Sequence, residues 1–300
     1  MFAMIIILFF SFFISYILFY PSLALSNTLG AIDIPDDRKI HSKPMARGGG
    51  FTFFVAFSIL LVLIPINIEL KIPLSLSAAV IFFIGLLDDV IEFSAFEKLS
   101  GQFFGLAVYY FLSELLSYNI TAFQGIFMAI WIILITNATN IVDGLDGLAV
   151  GVCASEAICL SAIALILGNI DILFCSFLLL SALLGFLPHN FPKAKIFMGD
   201  CGALFLGFTL AVISSRLISE SKSITCLLSI LLVFRVPIAE AYLSIIRRII
   251  KRKNPFKADK EHFHHLLIKR GFTRECATLA LVTISLFFGV LGILVSFLGR

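Results

Sequence analysis

Charge is scarce in this chain. Of its 300 residues only 14% are Asp, Glu, Lys or Arg. A soluble domain carries about a quarter, so the deficit excludes disorder and an ordinary water-soluble enzyme. Cysteine pairs at metal-ligand spacing are missing too. Cys153, Cys159, Cys175, Cys201, Cys226 and Cys276 lie in or beside apolar runs and form no CxxC. This excludes a disulfide scaffold and makes them small core residues. Nor is there a strong charge imbalance: 22 Lys+Arg against 19 Asp+Glu leave +3, too little to argue for nucleic acid. The first apolar run lacks a basic leader and a convincing cleavage site, which makes it a retained helix rather than a signal peptide. No internal repeat of the transporter kind is present.

Apolar residues are what the chain has in excess. It is 60% hydrophobic, with 33 Phe and a mean hydropathy of +1.07. Runs at 1–25, 51–66, 73–87, 101–117, 122–137, 148–168, 171–188, 201–218, 223–246 and 276–298 predict ten transmembrane helices. The expected fold is an all-α polytopic membrane protein, with residues 1–300 forming one integral-membrane domain.

The connecting segments fall into two alternating sets. Segments 26–50, 88–100, 138–147, 189–200 and 247–275 hold 17 Lys/Arg. The other set, with the C-terminus, holds only Lys71, Arg216, Lys222 and Arg300, and Arg235 lies inside the ninth run. Positive charge marks the cytoplasmic side, so the first set faces the cytoplasm and an even helix count puts both termini outside. That set also carries every dense polar motif, which predicts one composite site at the cytoplasmic interface.

Each motif has its own chemistry. GLLDD ends a run with Asp88 and Asp89; adjacent carboxylates at a membrane boundary need a metal, a cation or a shared proton, unless the helix end merely meets water. Lys98 and Gln102 follow, one helical turn apart and on one face. In NATNIVDGLDG, Asn137, Asn140, Asp143 and Asp146 recur every three residues. Oxygen side chains of this type suit Mg²⁺, which takes one or two protein ligands plus water and substrate phosphates; a polar inter-helix turn is the plainer alternative. Asp200, in FMGDCG, either caps a helix N-terminus or holds a metal, with Asn190, Lys193 and Lys195 just before it. His262, His264 and His265, in HFHH, fit polyanion binding better than zinc, since no cysteine is near. RKIHSKPMARGGG clamps phosphates or serves only as a topology signal, and Arg247 to Lys257 reads as a basic loop attracted to anionic lipid. Glu114, Glu156 and Glu240 have no role from sequence.

With these motifs in this order, the chain resembles the polyprenyl-phosphate N-acetylhexosamine-1-phosphate transferases, the superfamily that includes MraY, WecA and TagO. HFHH and ARGGG resemble its WecA/TagO side. The resemblance covers nearly the whole chain and implies ten transmembrane helices with a cytoplasmic-face active-site cleft in the bacterial cytoplasmic (inner) membrane. It implies transfer of a sugar-1-phosphate from a UDP-aminosugar donor to undecaprenyl phosphate, releasing UMP. By the same resemblance Asn140 and Asp200 are the Mg²⁺ ligands. Asp88, Asp89, Lys98 and Asp143 are catalytic, and Asn137, Asp146, Asn190, His262, His264 and His265 bind substrate. Membrane lipid is the other expected partner, nucleic acid is not one, and a homodimer stays open. Two alternatives remain from sequence: a muramyl-pentapeptide donor with the same chemistry, or a secondary transporter or flippase.

Overall fold

A computed structural model describes residues 2–34, 44–118, 120–250 and 262–299. They form α1 (Phe2–Ile17), α2 (Phe19–Leu29), β1 (Ile32–Asp33), β2 (Met45–Ala46), α3 (Gly50–Leu63), α4 (Ile68–Ile91), α5 (Ala95–Leu115), α6 (Ala122–Val142), α7 (Leu148–Leu167), α8 (Ile170–Asn190), α9 (Gly199–Ser221), α10 (Ile224–Val233), α11 (Arg235–Ile250), α12 (Phe263–Lys269) and α13 (Arg274–Leu298). The strands make only a two-residue antiparallel ladder, Ile32 to Ala46 and Asp33 to Met45. The all-α expectation holds.

Each predicted run falls on helix, but the ten-span count is not reproduced. Six helices (α4, α6, α7, α8, α9 and α13) are long and apolar enough to cross a membrane, or up to eight if each bent pair is one span. The first run is broken at Leu18, where α1 and α2 meet at 43°, and the ninth at Phe234, where α10 and α11 meet at 72°. With 14 residues, α3 reaches roughly 21 Å, short of the ~30 Å hydrocarbon core. Polar residues crowd both ends of α5, among them Glu97, Lys98, Gln102 and Glu114. The chain is a multi-pass membrane protein.

The core is built around α9. It is mostly apolar and enclosed on all sides by other helices, and every residue from Cys201 to Leu217 is buried, Thr209, Ser214, Ser215 and Arg216 included. Its closest neighbours meet it backbone to backbone at small residues, the usual device where lipid offers no hydrophobic drive for association. A Cβ on Gly85 of α4 would stand 2.5 Å from the Cys201 Cα, and one on Gly207 of α9 would stand 2.7 Å from the Thr136 Cα of α6. These two crossings fix where the polar ends of α4 and α6 sit relative to Asp200. Between them Phe53, Phe54 and Phe57 of α3 pack edge-on or tilted against Phe205, and Trp131 of α6 donates to the Ser214 hydroxyl at 3.0 Å.

Proline explains one helix start. Position 73 was expected to begin a span, but α4 starts five residues earlier and includes Pro73. A proline leaves the carbonyl four residues back without its N–H. That carbonyl, on Glu69, instead receives Arg216 Nη1 at 3.3 Å. Arg216, buried near the far end of α9, also pairs with Glu220 and lies 3.3 Å over the Tyr118 ring.

All six cysteines are free, five of them buried and Cys276 exposed. Of the basic segments singled out above, residues 35–43 and 251–261 lie outside the described residues.

Candidate active site

Several predicted residues meet at the N-terminal end of α9. α4 continues to Ile91, so Asp88 and Asp89 occupy its last turn, and both are buried. Asp88 Oδ1 accepts the Phe93 N–H at 2.7 Å, and its Oδ2 lies 2.5 Å from Lys98 Nζ. Lys98 is held on the first turn of α5 by a Ser94–Glu97 capping box. Its ammonium also reaches Asp200 Oδ2 at 3.2 Å. Asn140, in the last turn of α6, donates Nδ2–H to Asp200 Oδ1. Four helices thus supply one linked cluster: Asp88, Lys98, Asn140 and Asp200.

Asp89 has a different task. Its Oδ1 accepts the Asp200 N–H at 2.8 Å and its Oδ2 the Cys201 N–H at 2.9 Å. Those are free N–H groups of the first turn of α9, so Asp89 caps that helix from another helix, where negative charge also suits the dipole. Asp200 itself is not the cap; it projects from the first turn.

Beside the cluster lies a cavity of about 450 Å³ whose wall includes Arg47, Asn140, Asp143, Asp146, Asn190, Asp200, His262, His264, His265 and Arg274. Arg47 arrives by loop docking: Phe197 O accepts both the Gly48 and Gly49 N–H groups. Its guanidinium lies 3.2 Å from Asp33. Burial works against that charge, but Asp33, Asp89, Asp200 and Asp143 outweigh it and raise its pKa. Asp143, just past α6, is pushed up to about 7 by burial and then by Asp200 and Asp89, with Arg47 opposing.

The cavity wall is stitched by its own side chains. Asp146 Oδ2 accepts the Ala194 N–H at 3.0 Å. Asn190 accepts from Gly147 N–H and donates to the Ile196 carbonyl, both at 3.0 Å. These two residues hold the 143–147 turn against the 191–198 loop, leaving limited polar capacity for a ligand. His264 is buried against Gly144, where a Cβ would come within 2.4 Å of its ring. Burial first, then His265 and His262, lower its pKa to about 3, so it stays neutral.

Asn137 does not line the cavity. Its Nδ2–H groups go to Gln102 Oε1 at 2.6 Å and the Ile133 carbonyl at 2.8 Å, while its Oδ1 accepts from Gln102 Nε2 at 3.2 Å. This amide pair joins α5 to α6. Asp33, Arg274 and Glu240 were not singled out by sequence. Glu240 carried the one usable signal, a carboxylate in the middle of an apolar run.

The cluster's donor set suits a hard divalent cation. Asp200 offers carboxylate oxygens, and turning over the Asn140 amide presents its oxygen to the same point. Among the described residues no three His, Cys, Asp or Glu side chains form a group that could hold a metal. An ion here would therefore draw further ligands from water and substrate, the habit of Mg²⁺ rather than zinc.

The fold and the site define a multi-pass membrane protein with carboxylates, amides and cations gathered at helix ends around a cavity. Residues 72–218 match the model of glycosyl transferase family 4. The probable undecaprenyl-phosphate N-acetylglucosaminyl 1-phosphate transferase of Bacillus subtilis is 33% identical over 276 residues, covering 87% of this chain and 76% of that protein. The undecaprenyl-phosphate alpha-N-acetylglucosaminyl 1-phosphate transferase of Thermotoga maritima is 30% identical over 264 residues (87% and 81%). The decaprenyl-phosphate N-acetylglucosaminephosphotransferase of Mycobacterium tuberculosis strain H37Rv is 32% identical over 307 residues (87% and 75%). The chain belongs to glycosyl transferase family 4.

Proposed function

We propose that this protein transfers an N-acetylhexosamine-1-phosphate from a UDP-sugar to undecaprenyl phosphate, releasing UMP and starting a lipid-linked surface glycan. One observation carries the reading: Asp88, Lys98, Asn140 and Asp200 form a single linked cluster at the edge of a cavity lined with arginine and histidine. Both reactants are phosphate anions, and their approach needs fixed countercharge and alignment more than covalent help from the protein. The relatives' names specify N-acetylglucosamine, which makes UDP-N-acetylglucosamine the first donor to test.

In this reading Asn140 and Asp200 would hold Mg²⁺, which would neutralise phosphate charge and polarise the phosphoryl group. Lys98 stands between Asp88 and Asp200 and exchanges part of its carboxylate pairing for the acceptor phosphate. Asp88 orients that lysine and accepts the acceptor's proton if it arrives protonated. Asp89 acts through α9, keeping Asp200 aimed. Asp143, Asp146 and Asn190 shape the donor side, while Arg47, Arg274, His262 and His265 face its diphosphate.

The rest of the proposal concerns the membrane. Counting each bent pair, α3 and α5 as spans restores ten, in a single transferase unit. The 17-to-4 partition of basic residues supports a cleft on the cytoplasmic face of the inner membrane with the termini outside. There the acceptor's phosphate meets the cluster while its prenyl chain stays in lipid.

The test is direct. Purified protein is incubated with Mg²⁺, undecaprenyl phosphate and radiolabelled UDP-N-acetylhexosamines. A labelled, organic-extractable product with release of UMP is expected; no lipid-linked product with any donor overturns the reading.

A further inference from the structure

Glu240 lies in the middle of α11, 3% exposed, in a run that is otherwise mostly apolar. A buried carboxylate is costly unless its oxygens are taken up, and here they are. Oε1 accepts from His262 Nδ1 at 2.8 Å and from the Phe263 N–H at 3.1 Å, and Oε2 lies 3.1 Å from the same N–H. One turn along, the Ser244 hydroxyl is 3.2 Å from the same ring nitrogen. An ionised carboxylate only accepts. The Nδ1 of His262 therefore carries a proton, and Nε2, on the opposite edge, is the nitrogen left for the cavity that His262 lines.

The geometry points to Glu240 as a positioning residue for donor binding: it fixes the ring orientation and tautomer of His262 so that Nε2 meets the donor's diphosphate. His264 borders the same cavity but is 3% exposed and packed against Gly144, which leaves it less reach towards a ligand. Its ring and that of His265 lie 5.6 and 6.1 Å from His262, centroid to centroid. A phosphoryl oxygen accepts from Nε2 only when that nitrogen is protonated as well as Nδ1, and Glu240 then supplies countercharge to the imidazolium on the far side of the ring. A carboxylate behind a working imidazole tunes metal-bound histidines in the same way. This inference rests on the transferase reading for its ligand, but not for its tautomer.

Full-length protein in lipid nanodiscs, labelled with ¹⁵N-histidine, tests both parts. His262 resonances, identified by their loss in His262→Asn, should show a protonated Nδ1. Glu240→Leu should remove that pattern and Glu240→Gln, whose amide oxygen still accepts, should keep it; an unchanged pattern in Glu240→Leu overturns the proposal. In the transfer assay, Glu240→Leu and His262→Asn should each raise the KM for UDP-N-acetylglucosamine about tenfold, the order expected for one charge-assisted hydrogen bond. The kcat and the acceptor KM should change little. Because Glu240 acts through His262, the double variant should be no worse than His262→Asn alone. Multiplied losses, or a kcat loss at unchanged KM, overturn it. Should the wild type transfer no sugar, the transferase reading fails separately and the resonances still decide whether Glu240 sets the tautomer.

Discussion

Asp89 and Asp200 are joined through backbone rather than through their charges: a carboxylate oxygen of Asp89 accepts the main-chain N–H of Asp200 at 2.8 Å. The helix that presents one acidic residue is thus anchored by the other. Adjacent in sequence, Asp88 and Asp89 divide into a residue that faces the cluster and one that braces α9.

This division is measurable. Asp88→Asn should lower turnover about 10²–10³-fold, the range for removing one key electrostatic group, while its melting temperature stays near wild type. Asp89→Ala should lose activity and also melt earlier, by the ~1 kcal/mol typical of a lost N-cap. Transfer assays and thermal melts on the same preparations check it. Equal melting temperatures for the two variants would remove the bracing role.

Lys98 and the metal pair are separable by titration. Chelation with EDTA should abolish transfer, and added Mg²⁺ should restore it. Asp200→Asn and Asn140→Ala should shift half-activation to higher Mg²⁺, tenfold or more. Lys98→Met should cut kcat about 10²–10³-fold, with donor KM largely unchanged because Lys98 stands on the acceptor side. A Mg²⁺ optimum unaltered in Asp200→Asn contradicts the assigned ligand.

Asn137 and Gln102 should behave as structural partners. Removing the Asn137 amide leaves Gln102 buried and unsatisfied, at a cost of about 1–3 kcal/mol, whereas removing Gln102 leaves the half-buried Asn137 its Ile133 bond, and replacing both with apolar groups is nearly neutral. Asn137→Leu and Gln102→Leu should each lower the melting temperature, and the double variant should recover part of the loss. Donor KM should stay near wild type in all three. A selective rise in KM for Asn137→Leu would return it to the substrate-binding set.

His264 gives a pH dependence of defined sign. An unfolded histidine takes up its proton near pH 6.5, but His264 in the fold does so only at about 3. Below pH 6.5 the unfolded chain binds more protons, so stability falls as the pH drops towards 3. Thermal melts between pH 7.5 and 5 should show a decline in wild type that is shallower in His264→Asn. Parallel slopes would mean His264 does not contribute.

The membrane-embedded, helical character and the cluster were legible in sequence for the same reason. Long apolar runs and their polar ends are local properties, and Asp88, Asn140 and Asp200 sit where hydrophobicity stops. The breaks at Leu18 and Phe234 were not, because an apolar run specifies burial and says little about direction. Asn137 was grouped with the site because it shares a motif with Asn140, yet three residues of helix turn it towards Gln102. Arg47 owes its place to a loop docking on Phe197, and Glu240 meets His262 across 22 positions, contacts that no local pattern encodes. The apolar run beginning at 73 gave no sign that α4 starts at Ile68, since the carbonyl that Pro73 leaves without its N–H is met by Arg216 from α9, a distant residue.

The complete burial of α9 from Cys201 to Leu217 bears on which membranes this protein tolerates. Bilayers differ in thickness by a few ångströms, and spanning proteins adapt by tilting or bending their lipid-facing helices. Here those outer helices include α1 and α13, whose Phe9, Phe10, Phe287 and Leu294 are exposed. The helix that aims Asp200 touches none of that boundary. A change of host lipid or detergent therefore reaches the cluster through α4, α5 and α6, whose Phe83, Phe104 and Ile130 are exposed, rather than through the helix that carries Asp200.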